Sequence, residues 1–485
     1  MHSRRLLPNL GQWSSRTGPL YRRLADALRA AISRGELPVA TRLPPERALA
    51  QQLGLSRTTV VMAYDVLRAD AVLESRQGSG TWVREAPEPN QWVANGTLEP
   101  KRDTVVRGLT IGRGQVVDFT CGCLPPLPGV VEAAVAQLPA DLPELTRDHG
   151  YTALGILPLR RAIARHFERS GLPTSENQLL VTNGAQQALG LLAALFLERN
   201  SGALIESPTY LGAMDVLNAA GAHLVPVPVG PSGARVDALH SLAHRGLGRM
   251  AYLTPTFHNP TGSVMPEGER REVARIATDT RLPIIEDNTL SDIALEEQTP
   301  RPIAAFAARA PIITIGSMSK LFWAGLRVGW IRAPEALIVR LASLKVATDL
   351  GTSVLSQLVA SRLLDRAEEV REQRRQQVLE RRDALTAALR EKLPSWSWQV
   401  PTGGLSLWAR VPHGDTRAYA QEAQQQGVAF LAGPMTSPDE GHADHLRLVF
   451  VHEPAMVREG VDRLARAWRR YAPARSRPRT IDVMV

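Results

Sequence analysis

From residue 116 onward the chain alternates short apolar runs with amphipathic stretches, and this alternation limits the fold more than any single motif does. Residues 179–181, 203–205, 224–229, 250–253, 283–285 and 312–315 are apolar runs of strand length. Helical periodicity fills 186–198, 211–220 and 268–280 between them. Strands alternating with helices predict an α/β domain on a mostly parallel sheet with helices on both faces. After residue 353 long charged helices dominate, 365–392 among them. A smaller C-terminal α/β part follows at 396–451, then a helix to residue 470. With 485 residues, 44% of them hydrophobic, the chain can form more than one core.

One lysine stands out in that domain. Of the 57 lysines and arginines only four are lysine, at positions 101, 320, 345 and 392. Lys320 lies in ITIGSMSKLFWAGLRVGWI (313–331), behind a β-branched run expected to be a buried strand. A lysine kept there suggests an amine that must shed its proton, which arginine cannot do. A desolvated lysine is the residue type that condenses with aldehydes. Ser317 and Arg327 are suited to hold a phosphate beside it, the arginine through its planar fork. Ser-x-Ser-Lys is also a common tetrapeptide, so a plain surface lysine is the alternative reading.

The first 83 residues differ in charge from the rest. They carry 12 arginines against 6 acidic residues, two thirds of the net charge of +9 on under a fifth of the chain. A local basic excess is the electrostatic footprint of a nucleic-acid partner. Leu20, Leu24, Leu28 and Ile32 share one helical stripe that Gly35 and Pro38 end. Pro44-Pro45 opens a second helix through Leu53, and Gly54 breaks it. Ser56 caps a third helix to about Ala69, with Val60, Ala63, Tyr64 and Leu67 facing inward. Two short helices about a glycine-containing turn form a helix-turn-helix pattern. Val72-Leu73 and Thr81-Trp82-Val83 then flank Arg76-Gln77-Gly78-Ser79-Gly80, a wing.

The segments LPPERALA (43–50), LGLSRTTV (53–60) and GSGTWV (78–83) resemble the GntR-type winged helix across residues 19–83. The resemblance implies double-stranded DNA as partner. Its contacts would be Arg47, Ser56, Arg57, Thr58, Thr59, Gln77 and Gly78, with donors at the start of the third helix reaching phosphates and base edges. Val61 stands where that family often has arginine. A purely structural alternative has Thr58 and Thr59 capping a helix and Arg47 pairing with Glu46. Residues 85–115, rich in Pro, Glu, Asn and Gly, read as a linker that Trp92-Val93 and Val105-Val106 tack onto the larger domain. The expected organisation is a winged helix at 1–84, linker at 85–115, large domain at 116–472 and basic tail at 473–485.

The large domain resembles the fold-type-I pyridoxal-phosphate aminotransferases. Five motifs carry this: NGAQ (183–186), SPTYLG (207–212), HNPTG (258–262), IIEDN (284–288) and LRLVF (446–450). The resemblance implies the following roles, with pyridoxal 5'-phosphate as cofactor. Lys320 carries the cofactor aldehyde and shuttles a proton as general base. Gly184, Ala185 and Gln186, opening a helix, join Ser317 and Arg327 at the phosphate. Tyr210 stacks on the pyridine face, Asn259 donates to the phenolic oxygen, and Asp287 keeps the ring nitrogen protonated. Arg447 grips a substrate carboxylate, and Tyr151, after Gly150, reaches the phosphate across a dimer interface. In relatives a tyrosine usually follows the aspartate within three residues; here Asn288, Thr289 and Leu290 follow, which removes one hydrogen bond expected of an efficient transaminase.

Winged helix, linker and full-length aminotransferase-like domain together resemble the MocR subgroup of bacterial transcription regulators. The implied function is a PLP-dependent regulator sensing a small amino compound, acting as a homodimer. An aminotransferase with an accessory DNA-binding domain and a cofactor-independent dimerisation scaffold are the alternatives. No apolar run approaches the ~20 residues a membrane span needs, and no signal-peptide pattern is present. Cys121 and Cys123 are too few for a disulfide framework and lack partners for a metal site. A soluble cytoplasmic chain with two reduced thiols is expected.

Overall fold

The computed structural model describes residues 19–33, 37, 41–69, 72–76, 80–83, 116–296, 299–307 and 309–471. The chain divides into two compact units, residues 1–99 and 100–485. The expected linker at 85–115 and the tail at 473–485 lie outside the described residues.

The smaller unit contains α1 (Leu20–Ser33), α2 (Glu46–Leu53), α3 (Arg57–Ala69) and the antiparallel pair β1 (Leu73–Arg76) and β2 (Gly80–Val83). Leu24, Leu28, Leu49, Val60, Tyr64, Leu67 and Val83 form its core, almost wholly removed from water. Gly54 ends α2 at φ 65°, a left-handed position where glycine avoids the Cβ penalty. The Tyr64 hydroxyl donates to the Pro44 carbonyl at 2.8 Å, pinning α3 to the segment that starts α2. The wing is anchored as well: Leu43 N–H donates to the Thr81 carbonyl, and Val83 N–H to that of Thr41, both at 2.8 Å.

The larger unit begins with β3 (Val117–Asp118). In chain order there follow β4 (Leu179–Thr182), β5 (Gly202–Ser207), β6 (His223–Gly230), β7 (Gly233–Ala234), β8 (Met250–Leu253), β9 (Ile284–Asp287), β10 (Ile312–Ser317) and β11 (Gly329–Arg332). They assemble in the order β4-β11-β10-β9-β8-β5-β6-β7. The links from β10 through β9, β8 and β5 to β6 are parallel. β11 runs antiparallel to both neighbours, and β7 to β6, so the sheet is mixed around a parallel centre.

Its strands read as unbroken apolar runs because both faces are covered. Successive residues nevertheless alternate between two separate cores: Leu179 and Val181 belong to one and Leu180 to the other, as do Ile284 and Ile285, or Ile312 and Ile313. The smaller part of the unit has a four-stranded sheet of β12 (Ser397–Trp398), β13 (Ser406–Arg410), β15 (Leu431–Ala432) and β16 (His445–Val449). β14 (Val428–Ala429) pairs in parallel with β3, bringing the residues just after β3 back to this part. The charged stretch expected at 365–392 is one long helix, Ala367–Lys392, preceded by the helix Val354–Asp365.

The winged-helix core is small, so one cavity should unfold it alone. Leu67→Ala, at a position with no exposure, should cost about 2–5 kcal/mol. A calorimetric scan should show an earlier first transition and an unmoved second one; a single shifted transition would contradict two independent cores.

Candidate cofactor and effector site

Strand register sets the site. Thr182 at the end of β4 pairs with Gly329, and Gly329 with Ser317 at the end of β10. Ile315 pairs with Asp287, the last residue of β9. The turn after β4, the turn after β10 and the Asp287 carboxylate therefore share one edge of the sheet, where open α/β folds bind ligands.

Lys320 sits in a π-helical turn, Ser319–Trp323, directly after β10. Such turns recur at functional sites. Its ammonium donates to the Gly122 carbonyl at 2.9 Å and lies 3.7 Å from the Cys123 sulfur. The turn is held from below by Arg374, 1% exposed, which donates to the carbonyls of Leu321, Phe322 and Pro125 at 3.2, 3.3 and 3.0 Å. Burial lowers this guanidinium to about 10. Asp287 accepts from the Tyr252 hydroxyl at 2.5 Å and from Thr289 N–H at 2.9 Å. Leu290, where the resemblance leads one to expect a tyrosine nearby, is buried; the hydroxyl beside Asp287 comes from the neighbouring strand instead.

Gly184, at φ 82°, precedes the helix Ala185–Phe196, which has no side-chain cap. Its first N–H groups, Ala185 and Gln186 among them, are left to an anion. Arg327, at φ 53°, donates to the Asn183 carbonyl at 2.8 Å, and a Cβ on Gly184 would lie 2.8 Å from its Nη2. The Ser317 hydroxyl donates to Ser319 Oγ at 2.9 Å. Behind this cup the fully buried Lys345 pairs with Asp349 at 2.8 Å. Asp349 also accepts from Asn183 Nδ2, Gln187 Nε2 and Gly351 N–H. Tyr210 reaches the same helix start, its hydroxyl 3.4 Å from Gln186 Oε1. Burial, then the Asp287 carboxylate, push that phenol up to about 12.

Arg447 on β16 donates to Asn259 Oδ1 at 3.0 Å and to the Thr120 carbonyl. It is 6% exposed, its Nε has no hydrogen-bond partner, and burial lowers it to about 10. No carboxylate among the described residues forms an ion pair with it. A desolvated guanidinium with an open donor is a receptor for a carboxylate. Asn259 spends its oxygen on Arg447, which leaves its amide nitrogen free to donate.

Tyr151 stands apart within one chain. It is 64% exposed, its ring 5.4 Å from that of His149. The sequence reading missed Tyr252, Cys123, Arg374 and the Lys345–Asp349 pair. Tyr252 and Cys123 depend on register and chain reversal; Arg374 and Asp349 look like solvent-facing helix charges. Only the scarcity of lysine pointed toward Lys345.

In the smaller unit Ser56 Oγ accepts from Thr59 N–H at 3.1 Å, so Ser56 caps α3. Arg47, Arg57 and Thr58 are exposed and Thr59 is half-buried. Glu46 pairs with Arg68 at 3.2 Å, not with Arg47. Arg47 and Arg57 thus keep their charge free of any described carboxylate. Gln77 and Gly78 lie outside the described residues.

Comparison with known proteins agrees with this division. The aminotransferase class I and II family matches residues 124–464, and the bacterial regulatory proteins of the gntR family match residues 20–83. The chain is similar to the uncharacterized HTH-type transcriptional regulator YdfD of Bacillus subtilis, at 30% identity over 90% of this chain and 93% of YdfD. It is likewise 30% identical to the probable rhizopine catabolism regulatory protein MocR of Rhizobium meliloti, over 85% of this chain and 86% of MocR. Among solved structures, the α-aminoadipate aminotransferase LysN of Thermus thermophilus, complexed with N-(5'-phosphopyridoxyl)-L-leucine, matches with a TM-score of 0.69. That match has 29% identity over 75% of this chain and 94% of LysN. The chain belongs to the MocR-like transcriptional regulators, in which a gntR-family winged helix is joined to an aminotransferase class I and II domain.

The buried pair behind the cup gives a test of stability. Asp349→Ala strands the Lys345 ammonium and should lower the unfolding free energy by about 3 kcal/mol. Lys345→Met removes the charge and leaves Asp349 its three N–H donors, so its loss should be smaller. Equal losses in urea unfolding would overturn this account.

Proposed function

We propose that this regulator senses an amino compound bearing a carboxylate, read at a pyridoxal 5'-phosphate site on Lys320, and that ligand binding alters its grip on DNA. The residues fit that cofactor. An uncapped helix N-terminus with Arg327 and Ser317 suits its phosphate, the Asp287 carboxylate its ring nitrogen, and the Lys320 amine its aldehyde. Bound there, the cofactor supplies an aldehyde that exchanges amines and a ring that draws electrons.

The observation that carries the reading is the strip Thr120–Cys123. Its Thr120 carbonyl takes Arg447 and its Gly122 carbonyl takes the Lys320 amine. An unneutralised guanidinium and the reactive amine thus face one short segment, as recognition of an amino acid by both its ends requires. Arg447 forks the carboxylate, Asn259 orients Arg447, and Lys320 holds or moves the proton at the amine. Signalling then needs only that the ligand bind two states of the chain unequally.

The working unit is a homodimer that sets two winged helices on paired half-sites. Exposed apolar side chains such as Leu142, Val339, Leu350 and Leu355 suit cover by a second copy. Exposed Tyr151 suits a role at the neighbour's cofactor. Arg47, Ser56, Arg57, Thr58, Thr59, Gln77 and Gly78 are the proposed DNA contacts. The buried Leu290 fits a site that binds amino compounds rather than turning them over.

The test is the absorbance of the purified chain, followed on adding amino acids and then a 2-oxo acid. A cofactor band that shifts and stays shifted supports a sensor; sustained cycling with the 2-oxo acid would make the chain an aminotransferase. Arg447→Lys keeps the charge but loses the fork, and effector affinity should fall at least ~10-fold, about 1.4 kcal/mol. DNA affinity without effector should not change. Arg57→Ala should weaken DNA binding by roughly 1–3 kcal/mol; an unchanged affinity in a gel-shift titration would remove Arg57 from the interface.

A further inference from the structure

Two thiols on the strip between Arg447 and Lys320 have no part in that reading. Cys121 and Cys123 are both free and half-buried. They stand two residues apart in the chain, and the Cys123 sulfur lies 3.7 Å from the Lys320 ammonium. Neither belongs to a hydrophobic core cluster. The groups facing Cys123 are Cys121, Lys320, Arg447 and, from the helix-start side, Tyr210; Asp118 faces Cys121. The neighbouring Cys121 thiol, against burial and aided by the Lys320 and Arg447 charges, holds the Cys123 thiol well below the usual range. The Cys123 thiol beside it and burial push Cys121 up. A thiol beside a cation in a partly open, electropositive pocket is the environment of a reactive cysteine, whereas structural thiols sit in apolar packing.

We propose that Cys123 and Cys121 form a peroxide-responsive dithiol against the cofactor lysine, with Cys123 as the attacking thiolate and Cys121 as the resolving thiol. Cys123 attacks a hydroperoxide: an S–O bond forms, the O–O bond breaks, and the leaving alkoxide or hydroxide takes a proton. Cys121 then attacks the Cys123 sulfur. The S–S bond forms, the S–O bond breaks, and hydroxide leaves with the Cys121 proton as water. Two thiols and one hydroperoxide give one disulfide, one alcohol or water, and one further water. Residues two apart span at most roughly 7 Å, the outer edge of the Cα separation a disulfide tolerates. Such a bond is readily reduced again, as a reversible sensor requires. The consequence for the effector rests on the Lys320 reading, since oxidation removes a thiolate from beside the amine; the thiol chemistry itself needs no cofactor.

The test treats the full-length protein, cofactor retained, with hydrogen peroxide, then counts thiols and maps non-reduced peptides by mass spectrometry. Both thiols should vanish together into one intrachain disulfide. Cys121→Ser should stop at a sulfenic acid on Cys123 that dimedone traps, and Cys123→Ser should lose its thiol at least ~10-fold more slowly. In the unaltered chain at pH 6, Cys123 should take iodoacetamide about 10-fold faster than free cysteine, after allowing for its weaker intrinsic nucleophilicity. This reading stands even if a variant fails to fold. Thiols that outlast free cysteine, or a sulfenic acid found first on Cys121, overturn the proposal. The cofactor absorbance of the same samples separates the two ideas. A band with inert thiols sinks the dithiol alone, while thiol oxidation without any band sustains the dithiol and sinks the Lys320 reading.

Discussion

The buried guanidinium of Arg374 is the joint on which the site depends. It rises from the helix Ala367–Lys392 and ties together the turn that carries Lys320 and the strip that runs to Pro125. A desolvated cation is costly unless its donors are used. Here the carbonyls of Leu321, Phe322 and Pro125 and the Gln377 side chain take them. Lysine could not replace it, because a point charge lacks the planar fork that reaches several acceptors in fixed directions. That requirement explains part of the chain's preference for arginine. In the proposed reading Lys320 must be lysine, because condensation with an aldehyde needs a nucleophilic amine.

A second constraint is the absence of side chains where β11 meets the turn after β4. A Cβ on Gly329 would lie 2.7 Å from the Gly184 carbonyl carbon, so only glycine allows this approach. The approach brings Arg327, two residues earlier and itself left-handed, over the open helix N-terminus. Backbone contact, a left-handed φ and an uncapped helix thus converge on the proposed anion site. Strain of this kind persists only where the surroundings over-determine it. The Lys345–Asp349 network beneath Asn183 is that surrounding.

Much of this was legible in the sequence, and the exceptions have physical reasons. Fully buried strands such as Met250–Leu253 announce themselves as apolar runs, since both faces are covered. Asp287 and HNPTG are visible through their resemblance to aminotransferase motifs, Asp287 also as a carboxylate that closes an apolar strand. Tyr252 was not, since its hydroxyl meets Asp287 only through the pairing of β8 with β9. Arg374, Arg381 and Arg382 were read as part of a charged helix, yet all three turn inward. Composition cannot tell a guanidinium that caps carbonyls from one in water. Register and helix phase decide it, and both are set by distant partners.

These constraints bear on how an aminotransferase fold comes to serve a regulator. On the proposed reading, recognition of an amino compound needs a lysine, an anion cup and a carboxylate fork; the lysine turn rests on the buried Arg374, and the fork, Arg447, is itself buried. Repeated turnover asks more: the groups around the ring must favour the transition state over the bound ligand. The Tyr252 hydroxyl is committed to Asp287, and Leu290 adds only apolar surface. On the proposed reading, such a site holds its ligand rather than converting it. Held ligand is what a signal requires, because only a bound state that persists can bias the protein toward a different grip on DNA.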